Sequence, residues 1–149
     1  MIKQILIVLL STIIFEIQAD VPQKNVKETD KEHKELTKEI MQDIHTHKVM
    51  VYSKTYCPYS KKLKKILAGY EINDMKVVEL DLAENTREMQ DILKTLSGRT
   101  TVPQLFINGH FVGGHDETRA IEDKGELRPM LEKAHALSTN RVPIGVDGS

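Results

Sequence analysis

The sequence has no tryptophan and very little cysteine: its 149 residues contain one, Cys57. That excludes a disulfide framework within the chain and a paired Cys-x-x-Cys motif, so any redox cycle must close with a thiol from another molecule. A dominant charge is lacking too. Lys and Arg number 21 against 22 Asp and Glu, a formal net charge of -1, which argues against a general nucleic-acid binder. No apolar run reaches the roughly 20 residues of a membrane span, and no internal repeat is present. At 17.0 kDa the chain has room for one domain with appendages, and its 40% hydrophobic residues can supply a core.

What is present gathers around the lone thiol. Val49-Met50-Val51-Tyr52-Ser53 is a short apolar run that reads as a strand, and Leu63, Ile66 and Leu67 recur at helical spacing with lysines between them. Cys57 therefore falls where a buried strand hands over to the first turn of a helix. Pro58 suits that turn, because its missing N–H has no helical partner there anyway. Unpaired backbone N–H groups and the positive end of the helix dipole both favour the thiolate, the reactive form of cysteine. Lys54 adds a full positive charge. The competing reading is an inert, buried thiol, as most free cysteines are. It loses because Tyr56, Pro58, Tyr59 and Ser60 form no apolar stripe and Lys54, Lys61, Lys62, Lys64 and Lys65 surround the position. The Lys61–Lys65 cluster is mostly a solvated helix face that attracts anions.

Along the chain, residues 1–19 read as a targeting segment: Lys3, then an apolar run from Ile5 to Phe15, then Ala19 before Asp20. A cleaved signal peptide is the first reading and an uncleaved signal anchor the second. The chain is accordingly expected in the secretory lumen or outside the cell, with membrane anchoring or the cytoplasm as alternatives. Residues 20–30, polar and without periodicity, read as a linker. The spacing of Leu36, Ile40 and Ile44 predicts a helix from Lys31, the start of a domain over 31–137. His45-x-His47 reads as solvated histidines at that helix's end rather than a metal pair. Further on, the patterns predict a strand over Lys76–Asp81, a helix over Thr86–Leu96 ended by Gly98, and a strand at Gln104–Ile107. Asn108-Gly109 signals a hairpin turn and Phe111-Val112 the return strand. Helices follow from about Asp116, capped by Asp116 or His115, and over Glu126–Leu137. Residues 138–149 read as a flexible tail. The sum is an α/β fold with a four-stranded mixed sheet and helices on both faces.

Three motifs in this order, Cys57-Pro58-Tyr59 after a strand, Thr101-Val102-Pro103, and Gly113-Gly114-His115-Asp116, resemble the glutaredoxin family with its thioredoxin-like fold. The resemblance covers roughly Lys48 to Leu137. Ser60 stands where many glutaredoxins have a second cysteine, so the match is to the monothiol branch. The resemblance implies a glutathione-dependent thiol-disulfide oxidoreductase that removes glutathione from glutathionylated proteins, serving redox homeostasis, and acts as a monomer. It implies Cys57 as nucleophile, Lys54 meeting the glycine carboxylate and holding the thiol ionised, and Tyr59 flanking the sulfur. It further implies a glutathione-binding segment at Thr101, Val102 and Pro103, where a cis bond before Pro103 turns the Val102 N–H and C=O outward to pair with the cysteinyl unit. Gly114, His115 and Asp116 then receive the γ-glutamyl end, and Arg99 replaces a nearby family arginine, Thr100 standing in its usual place. No metal site is read in the chain itself. In the second reading, which some monothiol relatives suggest, Cys57 and glutathione hold a 2Fe-2S cluster across a dimer, although Pro58 disfavours it.

Overall fold

The computed structural model describes residues 26–138. The chain divides into two units, Met1–Glu32 and His33–Ser149. The described part of the first is the beginning of helix α1 (Val26–Thr46), and the second holds the rest of that helix and the sheet. The expected targeting segment and residues 139–149 of the expected tail lie outside the described residues. Among the described residues no helix is long and apolar enough to cross a membrane.

Helix α1 is followed by β1 (Val49–Ser53), α2 (Pro58–Leu67), β2 (Met75–Glu79), a 3-10 turn (Leu80–Leu82) and α3 (Thr86–Ser97). The hairpin β3 (Gln104–Ile107) and β4 (His110–Gly113) leads to α4 (His115–Asp123) and α5 (Leu127–Lys133). The strands form a four-stranded mixed sheet in the order β2-β1-β3-β4. β1 runs parallel to β2 and antiparallel to β3, and β3 is antiparallel to β4. Central β1 is buried along its whole length, which is why it reads as a continuous apolar run rather than an alternating one. Its side chains still alternate between faces. Val49 and Val51 pack with Leu63 and Leu67 of α2 and Leu127 and Leu131 of α5. Met50 and Tyr52 pack with Ile40 and Ile44 of α1 and Ile92 and Leu93 of α3. Each such aliphatic side chain contributes about 1.5–3 kcal/mol by leaving water.

Four local expectations need correction. Helix α1 begins at Val26, not Lys31, so residues 26–30 are helical rather than linker. Lys27, Glu28 and Asp30 are exposed, and such an extension carries no apolar stripe to betray it, although Glu28 in its first turn suits the helix dipole. The second strand gives way to the 3-10 turn at Leu80. Helix α4 starts at His115, with Gly114 as its cap. Helix α5 ends at Lys133 rather than Leu137. His135 takes a left-handed φ of 54°, and its N–H and that of Ala136 bond back to the carbonyls of Glu132 and Leu131. This paired closure satisfies the last carbonyls without a glycine. Asn108 and Gly109, at φ 50° and 81°, turn the hairpin as their sequence predicts.

Candidate functional site

Cys57 is the N-cap of α2, in extended conformation, with Pro58 at the first helical position. The thiol is partly exposed. Its partial burial pushes the pKa up, but hydrogen bonds from the Ser60 hydroxyl and N–H and from the Tyr59 N–H push it down, with help from the Lys54 charge. The balance lies below the ordinary thiol value. Ser60 is fully buried. Its Oγ also accepts the Lys54 N–H at 3.4 Å, so the hydroxyl is held in place beneath the sulfur. Opposite α2, the Cys57 thiol lies 3.7 Å from the Val102 carbonyl oxygen.

Lys54 is half-buried, and its Nζ donates to Gln90 Oε1 on α3 at 3.3 Å. The loop bearing it is tied to the next strand's end. Asp81 Oδ1 accepts the Thr55 N–H at 2.9 Å, and Asp81 Oδ2 accepts the Thr55 hydroxyl. The Thr55 hydroxyl bond keeps the Asp81 carboxyl below the usual range, with a smaller contribution from Lys54.

Beside the thiol runs a groove of about 290 Å³ lined by Tyr59, Arg99, Thr101, Val102, Pro103, Gly114, His115, Asp116 and Glu117. The Val102–Pro103 bond is cis, as expected. Buried Gln104 shapes one wall by donating to the carbonyls of Arg99 and Thr101 at 2.9 and 3.2 Å. The other wall is organised by Glu117. Its Oε2 accepts the Gly114 N–H at 2.9 Å, and its Oε1 pairs with Arg99. The Gly114 N–H, Glu117's own N–H and Arg99 hold its carboxyl below the usual range. This fold-back explains the double glycine. Gly113 has a φ of 141°, and a Cβ there would lie 2.6 Å from Glu117 Cβ. A Cβ on Gly114 would press on the Pro103 carbonyl at 3.2 Å. At the groove's end, Asp116 is 84% exposed at its side chain and is held by His115 Nδ1 at 2.8 Å. The His115 ring leans on Tyr59 with centroids 5.6 Å apart.

The sequence model of the family described as Glutaredoxin matches residues 49–112. An uncharacterized monothiol glutaredoxin of Caenorhabditis elegans is 61% identical over 149 residues, covering 100% of both chains. The chain belongs to the glutaredoxin family. Monothiol glutaredoxin-S6 of Oryza sativa subsp. japonica is 46% identical over 88 residues, covering 59% of this chain and 66% of that one. The crystal structure of a buckwheat glutaredoxin–glutathione complex superimposes with a TM-score of 0.68 at 30% identity, covering 72% of this chain and 97% of that one. With a lone thiol at its helix start, this monothiol glutaredoxin is a thiol-disulfide oxidoreductase that works with glutathione.

The structure brings the residues singled out from the sequence to one place. Cys57, Lys54 and Tyr59 lie at the start of α2 and the loop before it, and the remaining candidates line the groove. Arg99 is there, but engaged with Glu117 rather than free. Sequence reasoning missed Glu117, Gln90, Gln104 and the active role of Ser60. Glu117 had a readable signal, since a glutamate at the third helical position bonds back to the cap N–H. Gln90 had none, because its meeting with Lys54 spans two elements. His47, read as solvated, instead pairs with Asp74 at 2.7 Å. Among the described residues no group of three or more His, Cys, Asp or Glu is arranged to hold a metal ion.

Proposed function

We propose that this glutaredoxin reduces protein–glutathione mixed disulfides by a monothiol mechanism. The observation that carries the reading is the Cys57 sulfur, favoured as thiolate by Ser60 and Tyr59 and set 3.7 Å from the Val102 carbonyl at the edge of the groove. The Cys57 thiolate attacks the glutathione sulfur. A bond forms between those two sulfurs, the bond to the protein sulfur breaks, and the protein thiolate leaves and takes a proton from water. A second glutathione thiolate then attacks the glutathione sulfur held on Cys57. It leaves as glutathione disulfide and Cys57 returns as thiolate. The groove and the loop before α2 suit the tripeptide: the exposed Asp116 carboxylate for its ammonium, Lys54 on the loop for a carboxylate, and the backbone of Val102 for its middle residue. Glu117 keeps the Gly114 end of the groove in shape without needing a free charge of its own.

Turnover of the mixed disulfide of glutathione and 2-mercaptoethanol, with glutathione as reductant, tests this on the full chain beside Cys57→Ser. The reading requires turnover by the first and none by the second. A brown protein purified without oxygen, dimeric only with glutathione and inactive in turnover, would support cluster binding instead.

Compartment rests on residues 1–19 alone. We place the enzyme in the secretory lumen, where the redox poise is more oxidising and glutathionylation can also run forward. Finding Met1 retained on a protein confined to the cytosol would refute that placement.

A further inference from the structure

A second groove, of about 600 Å³, lies between α2 and α4. His115 lines it as well as the glutathione groove, so the two share a wall. The ridge between them is aromatic: the Tyr59 ring rests on His115, and Lys62 Nζ sits 5.4 Å from the Tyr59 centroid. On the far side of that ridge, Lys62, Lys65 and Arg119 surround an apolar floor of Ile66 and Gly69.

Among the described residues the charges there are poorly matched. Lys64, on the opposite side of α2, pairs with Glu79. Lys62 and Lys65 are exposed and, among the described residues, paired with no carboxylate. Arg119 is shared with Asp123 at 2.9 Å along its own helix. The one carboxylate among the described residues that line the groove, Glu122, already accepts the Tyr70 hydroxyl. That bond, after burial, helps push the Tyr70 phenol up to about 12, so the phenol stays neutral and adds no second negative charge. The groove is therefore cationic, with an apolar base, across the Tyr59–His115 ridge from the first groove.

We propose that this groove docks an acidic segment of the glutathionylated protein, next in sequence or in space to its modified cysteine. The proposal rests on the deglutathionylation reading above. A mixed disulfide joins two partners at one sulfur–sulfur bond. With its glutathione half in the first groove, its protein half must leave across the start of α2, where the Tyr59 ridge and the cationic groove meet it. Carboxylates on that half find Lys62, Lys65 and Arg119, and aliphatic side chains find Ile66. The groove then selects among glutathionylated proteins while leaving the chemistry at Cys57 unchanged, since Lys65 and Arg119 lie outside the catalytic and glutathione-binding groups.

Two glutathionylated peptides that differ only in glutamates or glutamines beside the modified cysteine test this. With the full chain at low ionic strength, the acidic peptide is expected to show about tenfold higher kcat/KM, the lower end of what electrostatic guidance yields. The advantage should shrink as salt is raised. It should fall to parity in Lys65→Glu and in Arg119→Glu, and partway in the milder Lys65→Gln, with the glutathione–mercaptoethanol mixed disulfide reduced at the wild-type rate throughout. Equal turnover of both peptides by the wild type overturns the docking proposal and leaves the enzyme reading intact. So does a loss in Lys65→Glu that strikes the small disulfide equally and raises KM for glutathione, which would assign the groove to glutathione itself. If the wild type turns over neither peptides nor small disulfide, both readings fall.

Discussion

Cys57 and Val102, far apart in sequence, face each other at 3.7 Å, thiol to carbonyl oxygen, across the gap between the start of α2 and the turn into β3. A carbonyl oxygen is an acceptor, so it offers nothing to a thiolate. The groups that favour the anion are all on the Cys57 side. Ionisation is thereby confined to one element and, in the proposed function, substrate alignment falls to the other, so each can be perturbed separately.

The ionisation half gives a ranking. Hydrogen bonding from Ser60 outweighs the Lys54 charge in lowering the Cys57 pKa. Ser60→Ala should therefore raise the thiol pKa more than Lys54→Ala does. Since the thiolate prevails above the pKa, alkylation of Cys57 rises as pH passes upward through it. Both variants should move that rise to higher pH, with several-fold slower alkylation on the acidic side. Titration of ultraviolet thiolate absorbance checks the order, and equal shifts would contradict it.

Lys54→Ala should also weaken glutathione binding, because Lys54 is aimed by Gln90 as well as charged. Gln90→Ala should raise KM for glutathione about two- to tenfold, which corresponds to the roughly 0.5–1.5 kcal/mol of one ordinary hydrogen bond. It should leave the thiol titration close to wild type. A matching shift in that titration would mean that Gln90 acts on the sulfur and not on the ligand.

Glu117 supplies a prediction about acid. Its carboxyl is held below the usual range in the folded protein. Stability from this group is thus present above the unfolded carboxylate's pKa and is lost as pH falls through the lower, folded value. Half-exposed pairing with Arg99 limits the amount, and Glu117→Gln should cost about 1 kcal/mol near neutrality. The gap to wild type should close in acid, as urea melts at a series of pH values would show. Gly113→Ala should cost more, about 2–3 kcal/mol, because a left-handed φ and a Cβ in contact with Glu117 coincide.

Helix α1 lies outside residues 49–112 that match the family, yet Ile40 and Ile44 are buried with Met50 and Tyr52 of β1. Ile40→Ala should cost about 2–4 kcal/mol in a urea melt. A loss below about 0.5 kcal/mol would show that this end of α1 is not part of the core.

Much of this was legible in the sequence, and the exceptions share a cause. β1, the Asn108-Gly109 turn and the Gly98 helix stop are local signals, each fixed by a few neighbouring residues. The motif around Cys57 placed the thiol at the start of a helix, and the structure puts it there. Residues 26–30 were misread because an exposed helical turn has no apolar period to detect. The stop at His135 was missed because a left-handed histidine is uncommon, and only the carbonyls of Leu131 and Glu132 reveal why it occurs. Gln90 meeting Lys54, Glu117 meeting Arg99 and His47 meeting Asp74 are contacts between elements. Periodicity and spacing carry no information about them.

The most direct test is to mix the full chain with one glutathionylated protein, quench within a single turnover, and weigh the products intact. The enzyme should carry one glutathione on Cys57, the partner should be released as free thiol, and added glutathione should strip the adduct at the turnover rate. A Cys57 disulfide-bonded to the partner, with glutathione as the group released, would contradict the account.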